Sequence, residues 1–181
     1  MQNAVAAARG DLLPLLRVLT RIGPLPEAFW QDRYVLGYLS AVAGMAAEEA
    51  TEGRLGEKDL AKVSFRALGS IAGKPAVALR AAVENGAADA LAEFADGFEA
   101  ASMVAAVHSG SDEFDRDRAV IGARKFVAEN SDRLDSDGAP ADMAARVALI
   151  LESTLFYTYA IETYLSETAR KLAVQSAMIA P

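Results

Sequence analysis

The sequence predicts an all-α protein, a compact bundle of six or seven helices that ends in a long C-terminal helix. Alanine dominates the apolar residues, which make up 52% of the 181 positions, and alanine is the strongest helix former. Runs of the β-branched and aromatic residues that strands favour are scarce. Apolar residues recur at three- and four-residue steps along most of the chain, which is the period of a helix.

A chain of this length is expected to form a single domain over residues 1–181. The first ten residues are small and weakly patterned, so they are expected to be a frayed helix or an exchangeable arm. Asp11 suits the N-cap of the first helix, and Pro14 then falls in the first turn, where its missing N–H costs little.

Residues 29–49 are the segment around which the fold is expected to form, because they carry no charge between Arg33 and Glu48. As one helix beginning near Pro26, they have a bulky face and a nearly bare face, and small residues let a partner backbone approach closely. We therefore expect a middle helix that is packed on both sides. The bulky face holds Tyr34, Val35, Tyr38, Leu39, Val42, Met45 and Ala46, and the bare face holds Gly37, Ser40, Ala41, Gly44 and Ala47.

Glycine, proline and asparagine divide the rest of the chain into helices. A third helix is expected to end at Gly73, a short fourth to begin at Pro75, and a fifth to end at His108. Asn85 and Gly86 are a stop signal between the fourth and fifth. The residues expected to be buried in the fifth and sixth helices are Leu91, Phe94, Phe98, Ala101, Ala105, Val120, Ala123, Phe126 and Val127.

The last helix is predicted from Pro140 to about residue 177, with apolar side chains in every direction between Val147 and Leu165. A helix that is apolar all round is buried all round, and a second subunit is expected to supply part of that burial. A homodimer through the last or the middle helix is the prediction. The candidates for close packing or an interface are Gly37, Ala41, Gly44, Phe156 and Ile161.

The charge distribution argues against two classes of partner. The net charge is −7, and residues 91–181 carry the whole excess, with eight basic and fifteen acidic residues. An acidic surface repels phosphate backbones and anionic lipid headgroups, so neither nucleic-acid nor membrane binding is expected. The acidic face between Glu84 and Asp115 is either solvated or a surface for a basic protein partner.

The chain has no cysteine, which excludes disulfides and thiolate chemistry. Its start has no basic segment followed by an apolar one, so a signal peptide is not expected. The longest uncharged apolar run, from Tyr34 to Ala47, has 14 residues, fewer than the roughly 20 that span a bilayer. A cytoplasmic location of the bacterial type is the expectation.

No cofactor or metal site is expected. The single histidine, His108, is a candidate base or ligand, or a residue that the helix dipole favours at a C-terminus. Di-iron bundles need glutamate three positions before histidine, and that position holds Ala105. Residues 133–144 resemble part of a calcium loop, but Arg133 and Ala144 occupy two ligand positions, so a solvated turn is expected.

Two carboxylates, Glu152 and Glu162, interrupt the apolar last helix. Buried carboxylates have raised pKa values and can act as acids or bases. The alternative is that each reaches the surface or pairs with an arginine such as Arg124 or Arg146.

Aromatic residues of the second and last helices form a possible ligand pocket. The candidate ligand-binding residues are Trp30, Tyr34, Tyr38, Tyr157 and Tyr164, with Tyr159 beside them. If the two helices face each other, these side chains bound an apolar pocket with hydroxyl groups inside it. The alternative is ordinary core packing, with the hydroxyls reaching the surface.

The sequence shows no catalytic signature, and the predicted function is that of a self-associating interaction or adaptor protein without catalysis. A small-molecule sensor with the tyrosine-lined pocket is the alternative. An enzyme that uses glutamate, aspartate or tyrosine is the third possibility, and it predicts paired carboxylates with shifted pKa values in one cleft.

Overall fold

The part of the chain that the structure describes is compact and mostly helical, so the all-α fold class is confirmed. The structure, a computed structural model, describes residues 1–85, 88–136, 138–140 and 142–169, and no strand occurs within these ranges. The helices are α1 Gln2–Ile22, α2 Arg33–Ala50, α3 Glu57–Ala72, α4 Ala76–Glu84, α5 Ala88–His108, α6 Arg118–Glu129, α7 Ser131–Ser136 and α8 Met143–Glu152.

The N-terminal residues belong to α1, so the first helix begins at Gln2 rather than at Asp11. Ala4, Ala8 and Leu12 lie four residues apart and are all 0% exposed, so they form one buried stripe on a single face. Because α1 begins at Gln2, Pro14 lies in its interior rather than in its first turn. Alanine's helix propensity, together with this buried stripe, outweighs the hydrogen bond that Pro14 cannot donate.

The middle helix begins later than the sequence indicates. Glu27–Gln31 is a separate 3₁₀ turn with Phe29 and Trp30 buried. Asp32 follows in an extended conformation and caps α2, its Oδ1 accepting a hydrogen bond from the Val35 N–H at 2.8 Å. Trp30 therefore does not lie on the same helix as Tyr34 and Tyr38.

Helix α2 lies among α1, α3 and α5, and its tightest crossing is with α5. At Gly37 an added Cβ would overlap the carbonyl oxygen of Phe94, and at Gly97 of α5 it would overlap the carbonyl oxygen of Tyr34. The two glycines thus let the two backbones touch. The bare face of α2 contacts a helix of the same chain.

This crossing sets which face of α5 is buried. Gly97, Ala101, Met103 and Val107 point inward, while Leu91 is 53% and Phe98 46% exposed. The expected burial is therefore wrong for Leu91 and Phe98, because the close approach at Gly97 turns these side chains toward the edge, whereas Phe94 is half-buried against the core. The expectation for Phe126 of α6 is wrong as well, since its side chain is 45% exposed.

The last helix is continuous over Met143–Ala169. It begins as α8, which Asp142 caps, and includes π-helical turns at Ser153–Thr158 and Ile161–Leu165. Insertions of this kind bend a helix and are frequent at functional sites. The part of the prediction beyond residue 169 lies outside the described residues.

The last helix is buried on one side only within this chain. Its inward residues include Val147, Leu151, Phe156 and Leu165, whereas Leu149 is 45% exposed. Among the described residues it is the one helix long and apolar enough to cross a membrane, with 28% of its most apolar window buried. One such helix is weak evidence of a membrane location, because the core helix of a soluble protein can pass the same test.

Candidate functional site

Asp32 joins the start of α2 to the last helix. Its Oδ1 caps α2, and its Oδ2 accepts hydrogen bonds from the Tyr159 hydroxyl at 2.7 Å and the Tyr164 hydroxyl at 2.5 Å. Burial, followed by the hydrogen bond to Asp32, raises the pKa of both phenols above the ordinary value. A carboxylate that accepts three hydrogen bonds fixes the relative position of the two elements.

Most of the predicted aromatic pocket is filled by its own rings. Tyr34 lies 4.7 Å from Tyr159 between ring centroids, and its hydroxyl donates to the Leu155 carbonyl at 2.8 Å. Tyr164 and Trp30 each contact Phe29 edge-on, at 5.7 and 5.1 Å. For Tyr34 and Tyr164, the structure therefore has core packing rather than an open pocket, whereas Trp30 also lines a different pocket, beside Arg33 and Lys74.

The remaining two predicted residues, Tyr38 and Tyr157, line an open cleft of about 670 Å³ between α1, α2, α5 and the last helix. We call it the Glu152 cleft. Its size falls within the range of ligand pockets. Apolar and small side chains make up most of its wall, and its polar side chains are Asp11, Tyr38, His108, Glu152 and Tyr157.

Glu152 is the unusual group in this cleft. It is half-buried, and burial raises the pKa of its carboxyl, an effect that a charge on His108 partly opposes. Contrary to the expected arginine pairs, Arg124 binds Asp115 and Arg146 binds Asp135. Within the described part of the chain, no side chain forms a hydrogen bond or ion pair with Glu152.

The two phenols beside Glu152 are also without partners. Burial and then the Glu152 charge raise the pKa of Tyr38, and the same two causes raise the pKa of Tyr157 to about 12. The Tyr38 ring stacks on Phe156 at 4.4 Å, which holds it in place. No residue that the structure describes bonds to either hydroxyl, so both can serve a ligand.

His108 lies exposed at the C-terminus of α5, on the edge of the cleft. The cleft therefore offers two carboxyls, one imidazole and two phenols on an apolar wall. Burial raises the pKa of one of these carboxyls, Glu152. The arrangement suits binding through hydrogen bonds.

The other predicted site residues lie apart from this cleft. Gly37, Ala41 and Phe156 are buried within the chain, Ile161 is half-buried, and Glu162 is exposed. Gly44 faces α3, where an added Cβ would have ordinary contact with the Ser64 hydroxyl at 3.6 Å. Residues of the predicted interface are thus mostly occupied by packing inside one chain.

No group of three or more potential metal ligands occurs within the described ranges. Asp137, part of the calcium-like loop, lies outside them, as does Gly86 of the predicted stop. On the acidic face, Glu93, Asp96 and Glu99 are exposed to solvent. Neighbouring Glu84 forms an ion pair with Arg80.

The sequence did not predict the role of Asp32, nor that His108 and Glu152 line the same cleft. An N-cap signal at Asp32 was present, since aspartate precedes an apolar periodic run. Whether His108 and Glu152 share a cleft depends on how α5 and the last helix cross, which no local pattern encodes.

No protein-family model, no curated protein and no solved structure matches this chain.

Proposed function

We propose that this protein is a helical domain that binds a small, mostly apolar molecule in the Glu152 cleft without acting on it chemically. The observation that carries the proposal is Glu152, a half-buried carboxyl with a raised pKa and no partner among the described residues. Burying a charge costs free energy unless it is paired. A ligand that supplies the partner recovers that cost.

The neighbouring side chains indicate the chemistry of the ligand. Glu152 favours a hydrogen-bond donor, best a primary amine, and the Tyr38 and Tyr157 hydroxyls lie beside it on an apolar wall. Asp11 adds a second carboxylate at the cleft, which repels anions. An apolar amine therefore fits better than an apolar carboxylate of the same shape.

Calorimetric titration with 1-adamantylamine and 1-adamantanecarboxylate tests this proposal. The amine is expected to bind more tightly than the carboxylate, and Glu152→Gln is expected to weaken amine binding by about tenfold, the effect of losing one charge-assisted hydrogen bond. Glu162→Gln is the matched control, since Glu162 is an exposed glutamate of the same helix.

Equal affinity for the amine in the wild-type and Glu152→Gln proteins would contradict the proposal. Ala105→Leu, which places a larger side chain on the cleft wall, is expected to abolish binding of both probes. Binding that survives this substitution would place the site elsewhere.

Self-association is a second candidate function. It is favoured by the apolar residues that the last helix and α6 leave open, with Leu149 45%, Met143 54% and Ile121 52% exposed. Burying such residues against a second copy removes apolar area from water. We propose that the last helix supplies a dimer interface through this outward side.

Sedimentation velocity of the wild-type protein and of Met143→Glu tests the second candidate, because Met143 is exposed on the last helix and does not line the Glu152 cleft. The wild type is expected to sediment as a dimer and the variant as a monomer. A wild-type monomer that floats with phosphatidylcholine vesicles would instead assign the apolar surface to a membrane, and a monomer that does not float would leave the surface solvated.

A further inference from the structure

A second cavity lies between α2, α3 and α5, on a face of α2 next to the one that borders the Glu152 cleft, and Met45 lines both. Its volume is about 390 Å³, and its walls are mostly apolar. Its lining includes Ser40, Gly44, Ser64, Phe94 and Phe98. We call it the Ser40 cavity.

The cavity exists because α2 is in tight contact with a neighbouring helix at Gly37 but has space beside it at Gly44. At Gly37 the α5 backbone fills all the space beside the helix, whereas at Gly44, two turns later, the nearest atom is the Ser64 hydroxyl at 3.6 Å from an added Cβ. The two helices diverge after their crossing, and a bare face that was tight at one end is open at the other. The aromatic rings of Phe94 and Phe98 border the opening.

Ser40 has a polar group in this cavity without a hydrogen-bond partner among the described residues. Its side chain is 6% exposed, and its Oγ is the one fully buried side-chain oxygen or nitrogen in the described part of the chain without a hydrogen-bond partner. Ser64, beside it, is satisfied, since its hydroxyl donates to the carbonyls of Ser40 at 3.2 Å and Leu60 at 3.0 Å. A buried hydroxyl without a partner destabilises the fold.

The charged residues of the cavity indicate which ligands are excluded. They are Glu48 and Glu57, both exposed at the mouth, and among the described residues neither forms an ion pair. A carboxylate or phosphate group would be repelled there, so fatty acids and phosphorylated compounds are disfavoured.

We infer that the Ser40 cavity is a second ligand site, which takes an uncharged, mostly apolar small molecule with one hydroxyl group. The apolar body lies along Gly44 and the two phenylalanines. Rotation of the Ser40 side chain turns its fully buried Oγ toward the ligand hydroxyl, which bonds to it. This site shares Met45 with the Glu152 cleft but has a different polar group, Ser40, so its occupation does not depend on the function proposed above.

Three probes of similar shape test the inference by amide NMR titration: 2-naphthylmethanol, 2-methylnaphthalene and 2-naphthoate. The alcohol is expected to shift amides of α2 and α3 around Ser40 and Gly44. The hydrocarbon is expected to bind about fivefold more weakly, the effect of one neutral hydrogen bond, and the carboxylate more weakly still.

Ser40→Ala is the decisive variant, because it removes one oxygen and adds no atom. It is expected to abolish the preference for the alcohol over the hydrocarbon while binding of the hydrocarbon remains. Gly44→Leu is expected to fill the cavity and abolish binding of both, and Gly122→Leu is the control, since Gly122 of α6 has open space around it.

The inference would be overturned if the alcohol bound no more tightly than the hydrocarbon. It would also be overturned if the Ser40→Ala protein still bound the alcohol more tightly than the hydrocarbon. Amide shifts around Glu152 rather than Ser40 would overturn it too. Glu152→Gln is expected to leave these titrations unchanged, which separates failure of this site from failure of the Glu152 cleft.

Discussion

At the scale of single residues, Asp32 shows how one carboxylate can do two structural tasks. One oxygen caps α2 and the other accepts two phenol hydrogen bonds from the last helix. The residues that it joins are 127 and 132 positions away in sequence. This side chain therefore stabilises a helix start and a long-range contact at once.

Replacing Asp32 is expected to cost more than replacing an ordinary N-cap. Asp32→Ala should lower the free energy of unfolding by about 2–4 kcal/mol, because it removes a cap and leaves two phenols without an acceptor. Asp117→Ala, which removes only the cap of α6, should cost about 1 kcal/mol. Urea unfolding of both variants measures the difference, and equal losses would mean that the tyrosine bonds contribute nothing.

Glu152 makes the stability of the protein depend on pH. Its carboxyl has a folded-state pKa above the ordinary value of 4.5, so the folded state holds this proton more tightly than the unfolded state. That contribution is complete below pH 4.5 and is lost as the pH rises through the folded-state pKa.

Glu152→Gln should therefore be more stable than the wild type at pH 7, with the difference disappearing in acid below the ordinary pKa. Thermal unfolding across this range measures it, and Glu162→Gln, at an exposed position, should show no such trend. A Glu152→Gln protein less stable than wild type at pH 7 would indicate that the carboxylate has a partner in the folded state.

At the scale of helices, the crossing of α2 and α5 depends on Gly37 and Gly97. Each glycine lies where a Cβ would overlap a carbonyl oxygen of the other helix. The sequence indicated the bare face of α2 but not its partner, because Gly97 stands alone in an ordinary amphipathic pattern. Which face of α5 is buried could not be predicted for the same reason, since the close contact at Gly97 turns Phe98 outward.

Alanine substitutions along α2 and α5 should separate tight from open positions. Gly37→Ala and Gly97→Ala should each destabilise the protein by about 2–4 kcal/mol through overpacking against backbone. Gly44→Ala should be neutral or stabilising by up to about 1 kcal/mol, because alanine favours the helix and has space there. A similar cost at all three glycines would show that the helices do not diverge beyond the crossing.

At the scale of the whole molecule, α2 borders two cavities of different character, and its Met45 lines both. The Glu152 cleft carries two carboxyls, an imidazole and two phenols, whereas the Ser40 cavity carries two serine hydroxyls, of which only Ser64 is hydrogen-bonded among the described residues. Fold class, most helix boundaries and the central position of α2 followed from periodicity and from capping residues. Tyr38 and Tyr157 of the candidate site followed from their place on the second and last helices.

Other features of the site could not be predicted from local patterns. Whether tyrosines from two helices leave a pocket or fill it depends on interhelix distance, and here Tyr34 and Tyr159 come within 4.7 Å and close the space. Glu152 was identified as unusual because it interrupts an apolar run. His108, which lines the same cleft, lies on another helix. That the two side chains share a cleft therefore depends on how the helices pack.

Native-state hydrogen exchange of the α2 amides tests most directly the claim that α2 is enclosed by its neighbours. Residues 36–47 are expected to exchange only through global unfolding, with the slowest rates in the protein, while amides of α6 exchange through smaller openings. Fast exchange of the amides around Tyr38 and Ala41 through local opening would contradict it, because neither cavity would then have a fixed wall.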